Sequence, residues 1–332
     1  PEVEPGANTY PDFEFLVAQT VLAVDHLQGT AHLEGWDIDD KRLREELDSL
    51  ASLPAAARPA APQKEKIRAV ADVDDAGFRA GVDKLKGNIH AGDIYQVVPA
   101  RAFTVDCPNA LAAYRALRET NPSPYMFYVR GADYELFGAS PESNLKFAPK
   151  DRQVQLYPIA GTRPRGLNPD GSINHELDIR NELDMRTDQK EIAEHTMLVD
   201  LARNDLARVA VPRSRQVAEL LHVDRYSRVM HLVSRVTATL HPDFDALDAY
   251  RACMNMGTLT GAPKLHATEL VRRTEGKRRG SYGGAVGYLR GDGAMDNCIV
   301  IRSAYVQDGI AVVQAGAGVV KDSVPQAEAD ET

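Results

Sequence analysis

Four strand-like runs, PYMFYVRG, YELFGAS, SNLKFAP and QVQLYPIAG, follow one another between residues 124 and 161 with no helical stretch among them. A parallel crossover needs a dozen or more residues, so runs this closely spaced pair antiparallel. The pattern returns near the end of the sequence. YGGAVGYLR, DNCIVIRSAYV and IAVVQAGAGVV read as three strands, the last two joined at the QDG turn, and VMHLVSRVTATL precedes them as another. Helical patterns fall between these clusters, around DDAGFRAGVDKLKGNIHAG, PNALAAYRALRET, EIAEHTMLVDLARND, DFDALDAYRACMNM and APKLHATELVRRTEG. Clustered strands with helices between the clusters predict an α+β chain with antiparallel sheets rather than regular βαβ alternation.

The first 64 residues read differently. FEFLVAQTVLAVDH and TAHLEGWDI form a hairpin pattern around LQG, and DDKRLREELDSLASL follows as a helix with Leu43, Leu47 and Leu50 at helical spacing. PAAARPAAPQK, residues 54–64, carries three prolines in eleven residues and reads as a linker. The division expected is therefore a small unit over 1–64, a remnant of a longer N-terminal region, and a main body over 65–332. Both ends read as cut, with Thr332 stopping inside the first turns of a helix.

A chain of 332 residues with 43% hydrophobic and 26% charged residues has the composition of an ordinary globular protein with a sizeable core. Its formal net charge of -9 argues against a nucleic-acid or anionic-membrane surface. Cys107, Cys253 and Cys298 are odd in number and far apart, which implies no disulfide framework and no zinc site. No apolar run reaches the length of a membrane span and no signal segment opens the chain, so a cytoplasmic location is expected.

The acidic pairs carry the first chemical signal. On a helix, Glu191 and Glu194 share a stripe with Leu198, and Glu328 and Glu331 repeat that spacing at the far end of the chain. Either pair alone is an ordinary solvated face. Two such pairs on different elements can close around one hard cation through oxygen ligands, and Mg²⁺ takes only one or two protein carboxylates directly. Ser323 reads as the N-cap of the last helix with Gln326 as its capping-box partner. Gly316 and Gly318 in QAGAGVV lie between a strand and that helix, where backbone N–H groups can face an anion, although a plain tight turn has the same pattern. Gly161 and Thr162, with Arg163 and Arg165 after them, read as a carboxylate cradle or as a turn with solvated arginines. Arg302 lies in an apolar run and needs an anionic partner if it points inward. His231 and Glu142 are acid–base candidates whose ordinary readings are a core histidine and an exposed turn carboxylate.

Taken together and in order, DIYQVVPAR, NPSPYMFY, FGASPES, YPIAGTRPRG, EIAEHTMLVDLARND, DRYSRVMHLVS, MGTLTGAPK, SYGGAVGY and QAGAGVVKDSVPQAEADE resemble the chorismate-utilising enzymes, most closely the large subunits of the anthranilate synthase branch. The resemblance implies a four-layer α/β/β/α fold with two packed antiparallel sheets. It implies Mg²⁺ held by Glu194 and Glu331, with Glu191 and Glu328 acting through water, and the ring carboxylate of chorismate on the ion. Gly161, Thr162, Arg302, Gly316, Ala317 and Gly318 would hold the substrate, and Thr258 and Tyr282 would line the pocket. Glu142 would protonate the departing ring hydroxyl while ammonia adds. His231 would assist loss of pyruvate.

Two positions separate the chain from other branches by that resemblance. Relatives that add water carry a lysine base where this chain has Gln96, and aminodeoxychorismate synthases carry a nucleophilic lysine where it has Ala160. Both imply ammonia as the nucleophile, supplied by a separate glutamine amidotransferase subunit, and anthranilate as the product. An enzyme that stops at aminodeoxyisochorismate, or an inactive fragment that only binds a partner, are the alternatives. Asn121, Pro122, Ser123, Pro124, Tyr125 and Met126 resemble one half of a tryptophan feedback site whose other half lies in the missing N-terminal portion. Lys321 stands where a small or apolar residue is expected.

Overall fold

The structure, a computed structural model, describes residues 3–54 and 68–332. Most of the linker expected at 54–64 lies outside the described residues. By internal contacts the chain forms two compact units, Pro11–Lys64 and Pro1–Tyr10 with Glu65–Thr332, so the first ten residues group with the larger unit.

The small unit is a hairpin and a helix. Strands β1 (Thr20–Asp25) and β2 (Thr30–Gly35) pair antiparallel, and the Asp25 carboxylate accepts the Leu27 and Gln28 N–H groups to close the turn. Helix α1 (Asp40–Ala51) starts at Asp39, whose side chain accepts the Arg42 N–H.

The large unit opens with β3 (Val70–Ala71), α2 (Asp75–Ala91), β4 (Gln96–Val97), β5 (Ala100–Asp106) and α3 (Ala110–Thr120). The strand cluster that the sequence predicts follows as β6 (Tyr125–Arg130), β7 (Glu135–Ser140), β8 (Ser143–Ala148), β9 (Gln153–Leu156) and β10 (Ile159–Pro164). Helices α4 (His175–Thr187) and α5 (Gln189–Ala207) lead to β11 (Gln216–Arg225) and β12 (Val229–Thr239). Then come α6 (Ala246–Cys253), α7 (Gly257–Thr260), β13 (Gly261–Ala262) and α8 (Lys264–Glu275). The chain finishes with β14 (Ala285–Leu289), β15 (Met295–Ile299), β16 (Ser303–Gln307), β17 (Ile310–Gly316) and α9 (Pro325–Glu331).

Among the described residues the large unit has two large antiparallel sheets and the short β4–β13 pair. One large sheet runs β10-β12-β9-β8-β15-β14 with β11 also on β12, and the other runs β3-β5-β17-β16-β7-β6. Helices α5 and α6 pack on the first sheet over Leu145, Leu156 and Val236, with Leu206 of α5 and Leu240 in the same cluster. Helix α3 covers the second over Phe137, Ala304 and Val306. The sheets lie between these helices, which makes the four-layer α+β arrangement.

Two runs expected as single strands, QVQLYPIAG and DNCIVIRSAYV, are broken, and so is the strand pattern through DIYQVVPAR. Pro158, which has no N–H to give a ladder, separates β9 from β10, and Pro99 separates β4 from β5. DNCIVIRSAYV is cut between Ile299 and Ser303, where Arg302 has φ 48°. The chain changes sheet there, and it also changes sheet between β7 and β8. The last helix corrects another expectation. Its N-cap is Val324 with Pro325 in the first turn, and the Ser323 hydroxyl instead accepts the Val320 N–H. Although short, α9 is held firmly: Ala329 is buried with Phe78 and Val82, and the Arg101 guanidinium donates to the Ala329 carbonyl and the Thr332 hydroxyl.

Candidate active site

The two points where the chain changes sheet lie side by side. The Ile299 N–H donates to the Glu142 carbonyl at 3.0 Å, and the Ala139 N–H to the Arg302 carbonyl at 3.1 Å. These bonds fix Glu142 and Arg302 on adjoining segments. Glu142 is 4% exposed, not the surface turn carboxylate that its sequence position allows. Burial pushes its carboxyl up to about 8, against the opposing pull of the Thr258 hydroxyl, the Ile159 amide and the Arg302 charge. Thr258 donates to its Oε1 at 3.2 Å. A carboxyl in that setting carries its proton at neutral pH and can give it away. The Arg302 guanidinium, on a residue that is exposed, has no hydrogen-bond or ion-pair partner among the described residues, so its charge is available to an anion. Partial desolvation by its surroundings lowers its proton affinity, and the charges of Glu142 and Tyr226 oppose that.

Strands β10 and β12 supply the next group. Their register slips between Ala160 and Thr162, where Gly161 has φ +81°. A side chain there would be strained and would lie 3.3 Å from a Glu191 oxygen. The slip sets Thr162 opposite His231, with Thr162 Oγ1 2.9 Å from His231 Nδ1. The imidazole is buried with its Nε2 unpartnered, and the Tyr226 ring lies 5.5 Å away. Burial, then the Arg302 charge, holds His231 below the usual histidine range, so it is neutral at pH 7.

The end of β17 forms a third side. A Cβ on Gly316 would meet the Pro99 carbonyl at 2.9 Å and the Tyr282 hydroxyl at 3.1 Å, and one on Gly318 would meet Gln96 Nε2 at 3.0 Å and Glu194 Oε1 at 3.4 Å. Ala317 between them is buried. Tyr282 is pushed up to about 12 by burial. Gln96, 2% exposed, donates from Nε2 to Glu194 Oε1 at 2.7 Å and leaves its own Oε1 unpaired.

The acidic pairs meet on this side. Burial raises the Glu194 carboxyl, and the charges of Glu191 and Glu328 add to it, against the Gln96 bond. Burial also raises Glu331, with Glu328, Glu194 and Glu191 adding their charge. Helices α5 and α9 thus aim like charges at one another. Among the described residues, however, no three His, Cys, Asp or Glu side chains stand close enough to hold a metal ion by themselves. Glu191 is drawn off by Arg163 at 2.8 Å. Two direct carboxylates, with water and a bound anion completing the shell, remain a fitting donor set for a hard divalent cation.

The arginine cradle expected after Gly161 does not form. Arg163 is spent on Asp184, Asp188 and Glu191, at 2.6, 2.9 and 2.8 Å, and Arg165 on Asp178 at 2.7 Å. Arg163 ties β10 to α4 and α5, and Arg165, just past β10, is held by α4, whose acidic residues the sequence reading left unassigned. Asn121 caps the C-terminus of α3, Pro122, Ser123 and Pro124 form the connection, and Tyr125 and Met126 open β6. The Tyr125 hydroxyl donates to Asp296 at 2.9 Å.

A family model described as chorismate binding enzyme matches residues 2–332. The chain belongs to the chorismate-binding enzymes. Anthranilate synthase component 1 of Salmonella typhimurium is 54% identical to it over 340 residues, covering 100% of this chain and 65% of the relative. The component 1 of Vibrio parahaemolyticus is 57% identical over 334 residues, covering 98% and 62%. The crystal structure of anthranilate synthase component I from Streptococcus pneumoniae matches with a TM-score of 0.89 at 33% identity, over 100% of this chain and 74% of that one. The chorismate-binding chain therefore spans 62% to 65% of the length of these curated relatives. Among the described residues, no helix of this chorismate-binding enzyme is long and apolar enough to cross a membrane. Tyr226 is the site residue that sequence reasoning missed. It lies inside the quoted DRYSRVMH motif, but only the return of β12 beside β11 brings its ring to His231.

Proposed function

We propose that the chain is the synthase part of an anthranilate synthase, converting chorismate and ammonia to anthranilate and pyruvate through aminodeoxyisochorismate. The observation that carries this reading is the buried, protonated Glu142 beside an Arg302 with no internal partner. An acid is needed because hydroxide is a poor leaving group, and a cation is needed because the substrate carries two carboxylates.

Arg302 takes the enolpyruvyl carboxylate, with the backbone around Gly161, Thr162, Gly316, Ala317 and Gly318 lining the rest. Glu194 and Glu331 would hold Mg²⁺, with Glu191 and Glu328 supporting through water. The bound ion would pin and polarise the ring carboxylate. As the carbon–nitrogen bond forms, the ring carbon–oxygen bond breaks and Glu142 transfers its proton to the departing oxygen, which leaves as water. Gln96 cannot deprotonate a water molecule, but its unpaired Oε1 can accept an N–H from incoming ammonia. Ala160 offers no amine to compete for the ring. In the second step the enolpyruvyl carbon–oxygen bond breaks, the ring proton is lost and the ring becomes aromatic. Neutral His231, with Nε2 free, assists that proton's departure.

The name component 1 borne by the relatives supports a second component. In this reading that component is a glutamine amidotransferase subunit supplying ammonia, in the cytoplasm. In this reading the segment Asn121–Met126 would take part in tryptophan feedback. Replacing His231 by alanine is expected to slow pyruvate release by about 10²-fold, with a much smaller effect on amination. Rapid-quench analysis would then find aminodeoxyisochorismate accumulating, whereas equal loss of both steps would remove this role of His231.

A further inference from the structure

Asp205 and Lys264 belong to the motifs EIAEHTMLVDLARND and MGTLTGAPK, yet the reaction as derived uses neither. Asp205 is in the last turn of α5 and is 8% exposed. Lys264 is the first residue of α8. Its ammonium donates to Asp205 Oδ2 at 2.6 Å and to the carbonyl of Cys253, the last residue of α6, at 3.1 Å. One cation thus ties together the ends of three helices. Between Cys253 and Lys264 lie α7 and β13, where β13 pairs with β4 and Arg279 donates to the Leu259 carbonyl, so the Lys264 anchor fixes the two ends of a segment also fastened from the other side.

Helix α7 carries Thr258, whose hydroxyl meets Glu142. Asp205, Glu142, Thr258 and Leu201 line one crevice of about 10 Å³, room for a single water molecule. A buried ion pair adds little to stability compared with apolar residues of the same volume, so its retention here calls for a role in placement. The geometry points to Lys264 and Asp205 as positioning residues: their ion pair seats α7 so that the Thr258 hydroxyl reaches the Glu142 carboxyl. The inference rests on the reading of Glu142 as the general acid, and it adds the device that holds that acid from behind.

The charged groups facing Glu142 are Arg302 from the β15–β16 crossover and Asp205 across the crevice, and Asp205 is paired with Lys264. Thr258 and the Ile159 amide add hydrogen bonds to its ionised form. Lys264→Met withdraws the Thr258 bond by loosening α7 and leaves Asp205 without its cation. Both changes disfavour the Glu142 carboxylate, so the alkaline limb of kcat moves to higher pH.

The test measures kcat and chorismate KM with ammonium as nucleophile, from neutral to alkaline pH. Lys264→Met should lower kcat about tenfold or more, keep chorismate KM within about threefold, and raise the alkaline limb. Lys264→Arg should restore the limb. Thr258→Val, a small change that leaves the ion pair intact, should move the limb in the same direction. A limb that stays in place in both Lys264→Met and Thr258→Val, or a rise in KM at constant kcat, overturns the proposal. If Lys264→Met does not fold, Thr258→Val and Lys264→Arg decide. Infrared titration of the Glu142 carboxyl, assigned by its loss in Glu142→Gln, reads the same shift without turnover. A wild-type chain that does not aminate chorismate would therefore remove the general-acid reading while the seating of Thr258 on Glu142 is still judged.

Discussion

Glu142→Gln is expected to lower kcat by about 10²–10⁴-fold while making the protein more stable at alkaline pH. The catalytic loss follows because an amide fills the same buried space but has no proton to give the leaving hydroxyl. The stability gain follows from linkage. In the folded chain the carboxyl titrates at about 8, raised from a usual value of 4.5. Between those values the folded state holds a proton that the unfolded state has lost. Stability therefore falls as pH rises across that window, by up to about 1.4 kcal/mol per pH unit for this one group. It is highest below the unfolded value and fully diminished above the folded one. Glutamine removes that slope. Urea unfolding of both proteins at mildly acidic and alkaline pH checks the second half, and saturating kinetics the first. A variant with near wild-type kcat, or with an unchanged stability–pH slope, would contradict the assignment of a neutral buried acid.

Glu194→Gln and Glu331→Gln carry the second large effect. The two side chains come from distant parts of the chain, yet burial raises both, with the charges of Glu191 and Glu328 adding at Glu194 and those of Glu328, Glu194 and Glu191 adding at Glu331. A divalent cation relieves that repulsion, which is the physical reason to expect one here. Loss of a direct oxygen ligand should weaken apparent Mg²⁺ affinity beyond the ~10–100-fold that loss of an outer-shell partner costs, and Glu191→Gln and Glu328→Gln should stay within that lower range. Magnesium titrations of activity, together with the Mg²⁺-induced rise in melting temperature, measure both. Full activity of Glu194→Gln at ordinary magnesium would remove the metal assignment.

Much of the fold was legible because the local signals agree with the tertiary outcome. Closely spaced strand patterns left only antiparallel pairing, and α5 and α9 appear where the repeated glutamate spacing predicts helices. What escaped depends on partners distant in sequence. Strand β11 was missed because register slips at Glu219 and His222 break its alternation, and most of its residues are exposed. The crossover at Arg302 was read as continuous strand, since an apolar run says nothing about which sheet each half joins. Arg163 and Arg165 had the composition of an anion cradle, but the acidic faces of α4 and α5 claim them, and only the packing of those helices on β10 reveals it. The candidate site was legible as residue types. The raised Glu142, the unpaired Gln96 Oε1 and the seating of Thr258 by Lys264 and Asp205 required the coordinates. Nothing in the structure explains Lys321, which is exposed.

The most direct measurement is product analysis of the chain incubated with chorismate, Mg²⁺ and ¹⁵N-labelled ammonium. The expected result is a fluorescent aromatic amine carrying the label, identified as anthranilate, with pyruvate released in equal amount. A labelled non-aromatic amino acid would mean that the reaction stops at aminodeoxyisochorismate. An oxygen-bearing product, or no turnover by a demonstrably folded chain, would contradict the ammonia-dependent synthase.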